Sequence, residues 1–215
     1  MAVGVKICGI TDRAALDAAM QGGARWVGFV FFGPSPRNIA PAVAATLAAR
    51  VPAGGPGRIG LFVKPTDADI EHVLDTVTLD GLQVYAPEPR AMEIRACFGL
   101  PVWRAVGIAA RADLPHDTDL DGLIIESRAP AGSTRPGGNA VCLDWGLTHG
   151  WRAPAPWMLA GGLNPDNVAQ AIMRSDAKAV DVSSGVESAP GVKSPALIRA
   201  FIAAANGVRP SSGDI

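Results

Sequence analysis

The sequence predicts an α/β fold, a single compact (β/α)8 TIM barrel, and three observations carry that prediction. Eight short apolar runs recur along 215 residues, a spacing of about 27 that suits the smallest βα units. Several runs, VGFVFF and IGLFV among them, are apolar almost without a break, as strands are when helices cover both faces of a parallel sheet. Amphipathic stretches with helix-capping residues lie between the runs. An open doubly wound sheet is the main competitor. It is expected to carry a glycine-rich nucleotide turn after its first strand, whereas the segment Cys8-Gly9-Ile10-Thr11 holds one glycine.

Strands are expected at residues 5–10, 26–32, 58–63, 81–86, 102–108, 122–127, 157–161 and 179–184. Thr11 and Asp12 are placed to cap a first helix through Met20, stopped at Gly22 and Gly23. Thr66 and Asp67 open another, with Ile70, Val73, Leu74 and Val77 on one face. Asn164 followed by Pro165 is a favoured cap and first-turn pair, and a last helix is expected over 195–205. The fifth and sixth connections are weak. Residues 111–121 contain Pro115 and several aspartates and 129–139 reads as loop, so helices there are expected to be short or missing. The barrel domain is expected to span 1–207, with 208–215 a flexible polar tail.

Composition narrows the functional classes. Forty-eight per cent of the residues are apolar, 18% are charged and the formal net charge is −1. That balance argues against disorder and removes the electrostatic reason to expect nucleic acid or an anionic membrane as partner. Gly (25) and Pro (18) make up about a fifth of the chain and are spread along it, as in a fold with many tight connections. The opening MAVGVKICGITDR lacks a cationic start with an apolar run behind it. No stretch approaches the roughly 18 apolar residues of a membrane span. A cytoplasmic location is the expectation. Cys8, Cys97 and Cys142 are odd in number and form no C-x-x-C pair, which argues against a disulfide framework and a structural zinc site.

In a barrel, chemistry sits at the C-terminal ends of the strands. Cys8 lies near the end of the first strand; it is either a small buried hydrophobe or a thiol acting as nucleophile or base. Cys97 and Cys142 read as structural. Glu126 and Asp181 fall within or at the ends of the sixth and eighth strands, where a carboxylate must be paired, hydrogen-bonded or functional. Arg37 follows the turn-rich GPSPR loop and is either a solvated loop residue or a bidentate anion ligand. Gly161 and Gly162 end the seventh strand, while Ser183, Ser184 and Gly185 end the eighth. Backbone amides in the loops after these two strands are the recurrent phosphate cradle of the fold. His72, His116 and His149 fall away from the strand ends and read as surface residues, with no metal-ligand pattern.

These residues sit in a specific set of motifs: VKICGIT at 5–11, GFVFFGPSPRNI at 28–39, GLFV at 60–63, RAVGI at 104–108, LDW at 143–145, AGGLNPDNV at 160–168 and AVDVSSGVE at 179–187. With them the chain resembles, to about residue 207, the phosphoribosylanthranilate isomerases of tryptophan biosynthesis. The resemblance implies an Amadori rearrangement of a small phosphorylated ribosylamine by general acid–base chemistry, with no cofactor and no metal. It implies a monomer or a homodimer. It makes Cys8 the base, Glu126 the acid, Arg37 the partner of the anthranilate carboxylate and Asp181 a further polar group of the site. Gly161, Gly162, Ser183, Ser184 and Gly185 fall on the phosphate-binding segments.

Three places depart from the family pattern. The acid there is usually aspartate. The usual QLHG is Gln83-Val84-Tyr85-Ala86, and the usual GGTGKTFDW is GGNAVCLDW at 137–145. Two alternatives stand beside the isomerase: a barrel enzyme for another phosphorylated sugar, and a phosphate-ligand binding protein without turnover.

Overall fold

The computed structural model describes residues 2–130, 132 and 143–208. In chain order the elements are β1 (Gly4–Cys8), α1 (Arg13–Gly22), β2 (Trp26–Phe31), α2 (Pro41–Ala48), β3 (Gly57–Val63) and α3 (Asp67–Leu74). There follow β4 (Gly81–Tyr85), α4 (Glu88–Phe98), β5 (Val102–Ile108), β6 (Gly122–Ser127), β7 (Trp157–Leu159) and α5 (Val168–Ser175). The chain continues through β8 (Ala179–Val182), β9 (Glu187–Ala189), β10 (Val192–Lys193) and α6 (Pro195–Asn206). Strands β1 to β8 pair in sequence order into a closed barrel, and β1 returns to β8 in parallel register through Lys6 and Asp181. This is the (β/α)8 barrel expected from the apolar spacing. Closure removes every free strand edge.

The fifth connection is as expected, and most of the sixth lies outside the described residues. Between β5 and β6 stands one 3₁₀ turn, Arg111–Asp113, and before β7 another, Trp145–Thr148. Cys142 and residues 133–141 lie outside the described residues, as do residues 209–215 of the expected tail. No helix among the described residues is long and apolar enough to cross a membrane.

Three strands, β1, β7 and β8, stop two residues earlier than expected, and backbone geometry explains why. Gly9 (φ 80°), Gly161 (85°) and Gly162 (66°) are left-handed, so the chain turns out of β1 and β7 at the first glycine it meets. Beyond β8 a 3₁₀ turn at Ser184–Val186 replaces the last expected strand residues. Asn164 does cap, but one turn early: its Oδ1 accepts from the amides of Asp166 and Asn167 at 2.9 and 3.1 Å, and α5 proper begins at Val168. At α1 the cap is Asp12, accepting from Ala15 N at 2.9 Å. Thr66 and Asp69 form a reciprocal capping box at α3.

Period-two alternation divides each strand between the helix layer and the barrel interior. The outward set, including Ile7, Val27, Phe29, Leu82, Val84 and Leu123, joins the helices in one large core. The interior is layered. At its N-terminal end Trp26 and Trp103 meet edge to face, 6.0 Å apart. Glycines make room for them: a Cβ on Gly122 would stand 2.4 Å from the Trp103 ring, and one on Gly4 or Gly57 2.9 Å from Trp26. Above this plug sit Lys6, Gln83 and Asp181, and above those the mouth that carries Cys8, Tyr85 and Glu126.

Candidate active site

The C-terminal mouth opens into a cleft. It brings together Cys8, Arg37, Glu126 and Asp181 with Gly161, Gly162, Ser183 and Ser184. Gly185 lies behind the wall instead of on it. A Cβ there would fall 1.8 Å from Leu163 O, so the loops after β7 and β8 lie flush against each other only because residue 185 has no side chain. His72, His116 and His149 are exposed, and so is Cys97, a surface thiol on α4 and not a packed one.

Cys8 ends β1 as a buried free thiol. Its space is defined by β2, where a Cβ on Gly28 would come within 3.1 Å of the sulfur and 3.3 Å of Lys6 Nζ. Burial pushes the thiol up and Asp181 adds to this; the ammonium groups of Lys6 and Lys193 pull it back without reversing it.

Lys6, wholly buried, donates to Asp181 Oδ1 at 2.9 Å and to Gln83 Oε1 at 2.8 Å. Burial penalises its charge, yet Asp181 and Cys8 outweigh that, so the ammonium is held. Opposite stands Glu126. Burial raises its carboxyl to about 8; Tyr85, its hydrogen-bonding neighbour, and the more distant Lys6 do not offset burial and the Asp181 charge. At neutral pH Glu126 is therefore a carboxylic acid with a proton to give. Burial and Glu126 together drive the Tyr85 phenol well above its ordinary value, which keeps it a neutral hydroxyl.

Arg37 is not a solvated loop residue. Its aliphatic stem packs over Gly9, where a Cβ would meet it at 3.0 to 3.2 Å. Its guanidinium is gripped by Glu187 through Nε–Oε1 at 2.6 Å and Nη2–Oε2 at 2.8 Å, which leaves Nη1 outside the fork. Lys193 completes the cluster, donating to Glu187 Oε1 at 2.7 Å and to Ser183 O at 2.9 Å. Burial works against the Glu187 anion, but Arg37 and Lys193 hold its carboxyl down at about 2. The Ser183 hydroxyl donates to Cys8 O at 3.1 Å, tying the end of β8 to the end of β1.

Lys6, Gln83, Glu187 and Lys193 join the site although none of them ends a barrel strand. Lys6 and Gln83 lie two residues before Cys8 and Tyr85, so strand alternation alone points them at the same interior. Glu187 and Lys193 come from the β9–β10 hairpin, whose signal is Pro190-Gly191 in a tight turn with Gly191 at φ 81°. A Cβ on Gly191 would also strike Pro36 O at 2.3 Å; the hairpin is pressed against the loop that carries Arg37.

A family model described as N-(5'-phosphoribosyl)anthranilate (PRA) isomerase matches residues 5–204. The chain belongs to the phosphoribosylanthranilate isomerase family. Among curated members of this isomerase family, the protein of Acidiphilium cryptum is 56% identical over 204 residues, 94% of this chain and 97% of the relative. That of Paracoccus denitrificans is 51% identical over 95% of this chain and 98% of its own. The solved isomerase of Thermotoga maritima superposes with a TM-score of 0.80 at 33% identity, covering 95% of this chain and 99% of that one. A further isomerase structure, in complex with reduced 1-(o-carboxyphenylamino)-1-deoxyribulose 5-phosphate, matches equally well, with a TM-score of 0.80 and the same coverage.

Proposed function

We infer that this chain is a phosphoribosylanthranilate isomerase, converting N-(5'-phosphoribosyl)anthranilate to 1-(2-carboxyphenylamino)-1-deoxyribulose 5-phosphate in tryptophan biosynthesis, and that it works in the cytoplasm. The observation that carries the mechanism is the opposition, across one cleft, of a carboxyl kept protonated near pH 7 and a thiol flanked by Lys6. Glu126 gives its proton to the ribose ring oxygen as the C1'–O bond breaks, and the nitrogen lone pair closes the C1'=N iminium. Cys8, as thiolate, removes the C2' proton; the C2'–H electrons form C1'=C2' and neutralise the iminium. Tautomerisation then moves a proton from the 2'-hydroxyl to C1' and leaves the ketone. Atoms and electrons balance within the substrate.

Arg37 Nη1 faces the anthranilate carboxylate, with Glu187 aiming the fork, and Asp181 is a substrate-binding carboxylate. The glycine turn at Gly161–Gly162, with the Ser183–Gly185 segment, receives the 5'-phosphate. The chain works as a monomer or a homodimer. The test is steady-state turnover of freshly generated substrate, followed by loss of its fluorescence, for wild type beside Cys8→Ala and Glu126→Gln. Turnover in wild type that disappears in both variants supports the assignment; undiminished turnover without Cys8 removes it.

A further inference from the structure

The deepest polar layer of the barrel contains a donor with nothing to donate to. Gln83 is buried, at 1% exposure, and its Oε1 accepts from Lys6 Nζ. An ammonium only donates, so this contact sets the amide's orientation, carbonyl toward Lys6 and Nε2 away from it. Nε2 has no hydrogen-bond partner among the described residues, although an unmet buried donor is among the groups a native fold rarely tolerates. Gln83 nevertheless lines the cleft, as does Asp181. The same Lys6 holds Asp181 through Oδ1, so Oδ2 is the oxygen left to a ligand.

Resting on the isomerase reading, we propose that Gln83 and Asp181 form a subsite for one hydroxyl of the substrate's sugar chain. The hydroxyl accepts from Gln83 Nε2 and donates to the Asp181 carboxylate, while Lys6 positions both. A hydroxyl is the group that fits, because it alone among the substrate's polar ends both donates and accepts. The phosphate and the anthranilate carboxylate are acceptors only and would meet the negative charge of Asp181. The subsite also accounts for the orphan amide, which is a donor set in advance and met only when the cleft is filled.

Two variants separate this role from a structural one. Gln83→Glu keeps an acceptor for Lys6 but has no donor, and Gln83→Met removes both. The readouts are kcat/KM for phosphoribosylanthranilate, affinity for the reduced product analogue, and the same affinity for analogues each lacking one sugar hydroxyl, with circular dichroism as the check on folding. Folded Gln83→Glu is expected to lose about 10- to 100-fold in kcat/KM and in analogue affinity. Wild type should lose at least that factor on removal of one particular hydroxyl, and Gln83→Glu should lose distinctly less for that same analogue, because only the Asp181 contact is then left to remove. Near-wild-type affinity in the folded Gln83→Glu variant, or equal further losses in wild type and variant for every deoxy analogue, overturns the subsite. Should wild type itself fail to turn over phosphoribosylanthranilate, the isomerase reading falls instead.

Discussion

In the proposed mechanism Cys8 and Glu126 act in opposite protonation states, and the interior disfavours both charges. The thiol is raised by burial and Glu126 stands at about 8, so the working form, thiolate with carboxylic acid, is a minority at any pH. The profile of kcat/KM is expected to be a bell: its acid limb rises to about pH 8, and its alkaline limb falls above the ordinary thiol range. These apparent values belong to the pair, not to either group. A pH-rate series from 6 to 10.5 checks this, and a flat plateau across 6 to 8 would contradict it. Cys8→Ala should abolish nearly all turnover yet bind the reduced product analogue within a few-fold of wild type, measured by calorimetry. Glu126 also strains stability. Its folded value lies above the ordinary 4.5, so the folded state holds a proton the unfolded chain has released, and stability declines as pH rises from about 4.5 to 8. By pH 7 the deficit is about 3 kcal/mol. Glu126→Gln should therefore unfold at higher urea than wild type at pH 8 and at nearly the same urea at pH 4.5, while losing turnover.

At the scale of elements, the short β9–β10 hairpin governs an arginine some 150 residues earlier in the chain. Glu187 ties the two, and Lys193 keeps Glu187 charged while anchoring it to Ser183. Glu187→Gln loosens the fork and leaves Lys193 without its counter-charge. KM is expected to rise about tenfold, with a smaller change in kcat, since Arg37 would contact the part of the substrate remote from the reacting carbons. Steady-state kinetics read this directly, and kcat falling alone would argue against a substrate-orienting hairpin. Gly191→Ala places a methyl 2.3 Å from Pro36 O at a left-handed position, which should destabilise by about 1–3 kcal/mol in urea titration. Apolar runs at βα spacing made β1 through β8 legible, together with the weak fifth connection. The hairpin was not legible because ESAPGVK is too short for any period to show.

For the whole molecule, two buried acids pull stability in opposite directions along the pH scale. Glu187 is held near 2 by its cations, so its contribution is complete above pH 4.5 and is lost as pH falls toward 2. Glu126 subtracts above 4.5. Between them they place the stability maximum of wild type near pH 5, which urea midpoints at pH 3, 5 and 8 will locate. The architecture explains why the Glu126 burden is tolerated: it lies at the C-terminal mouth, while the Trp26–Trp103 plug and the helix-facing core close the rest of the barrel. What the sequence determined alone was local: where strands begin, which glycines stop the first helix, which caps start the helices and which motifs mark the mouth. Periodicity and backbone freedom act over a few residues, so they can be read there. Only the tertiary structure decided that Lys6 serves Gln83 and Asp181 at once, that Glu187 grips Arg37 and that Glu126 keeps its proton. Each depends on distance and dielectric between residues far apart in the chain, and those exist only once the barrel has closed.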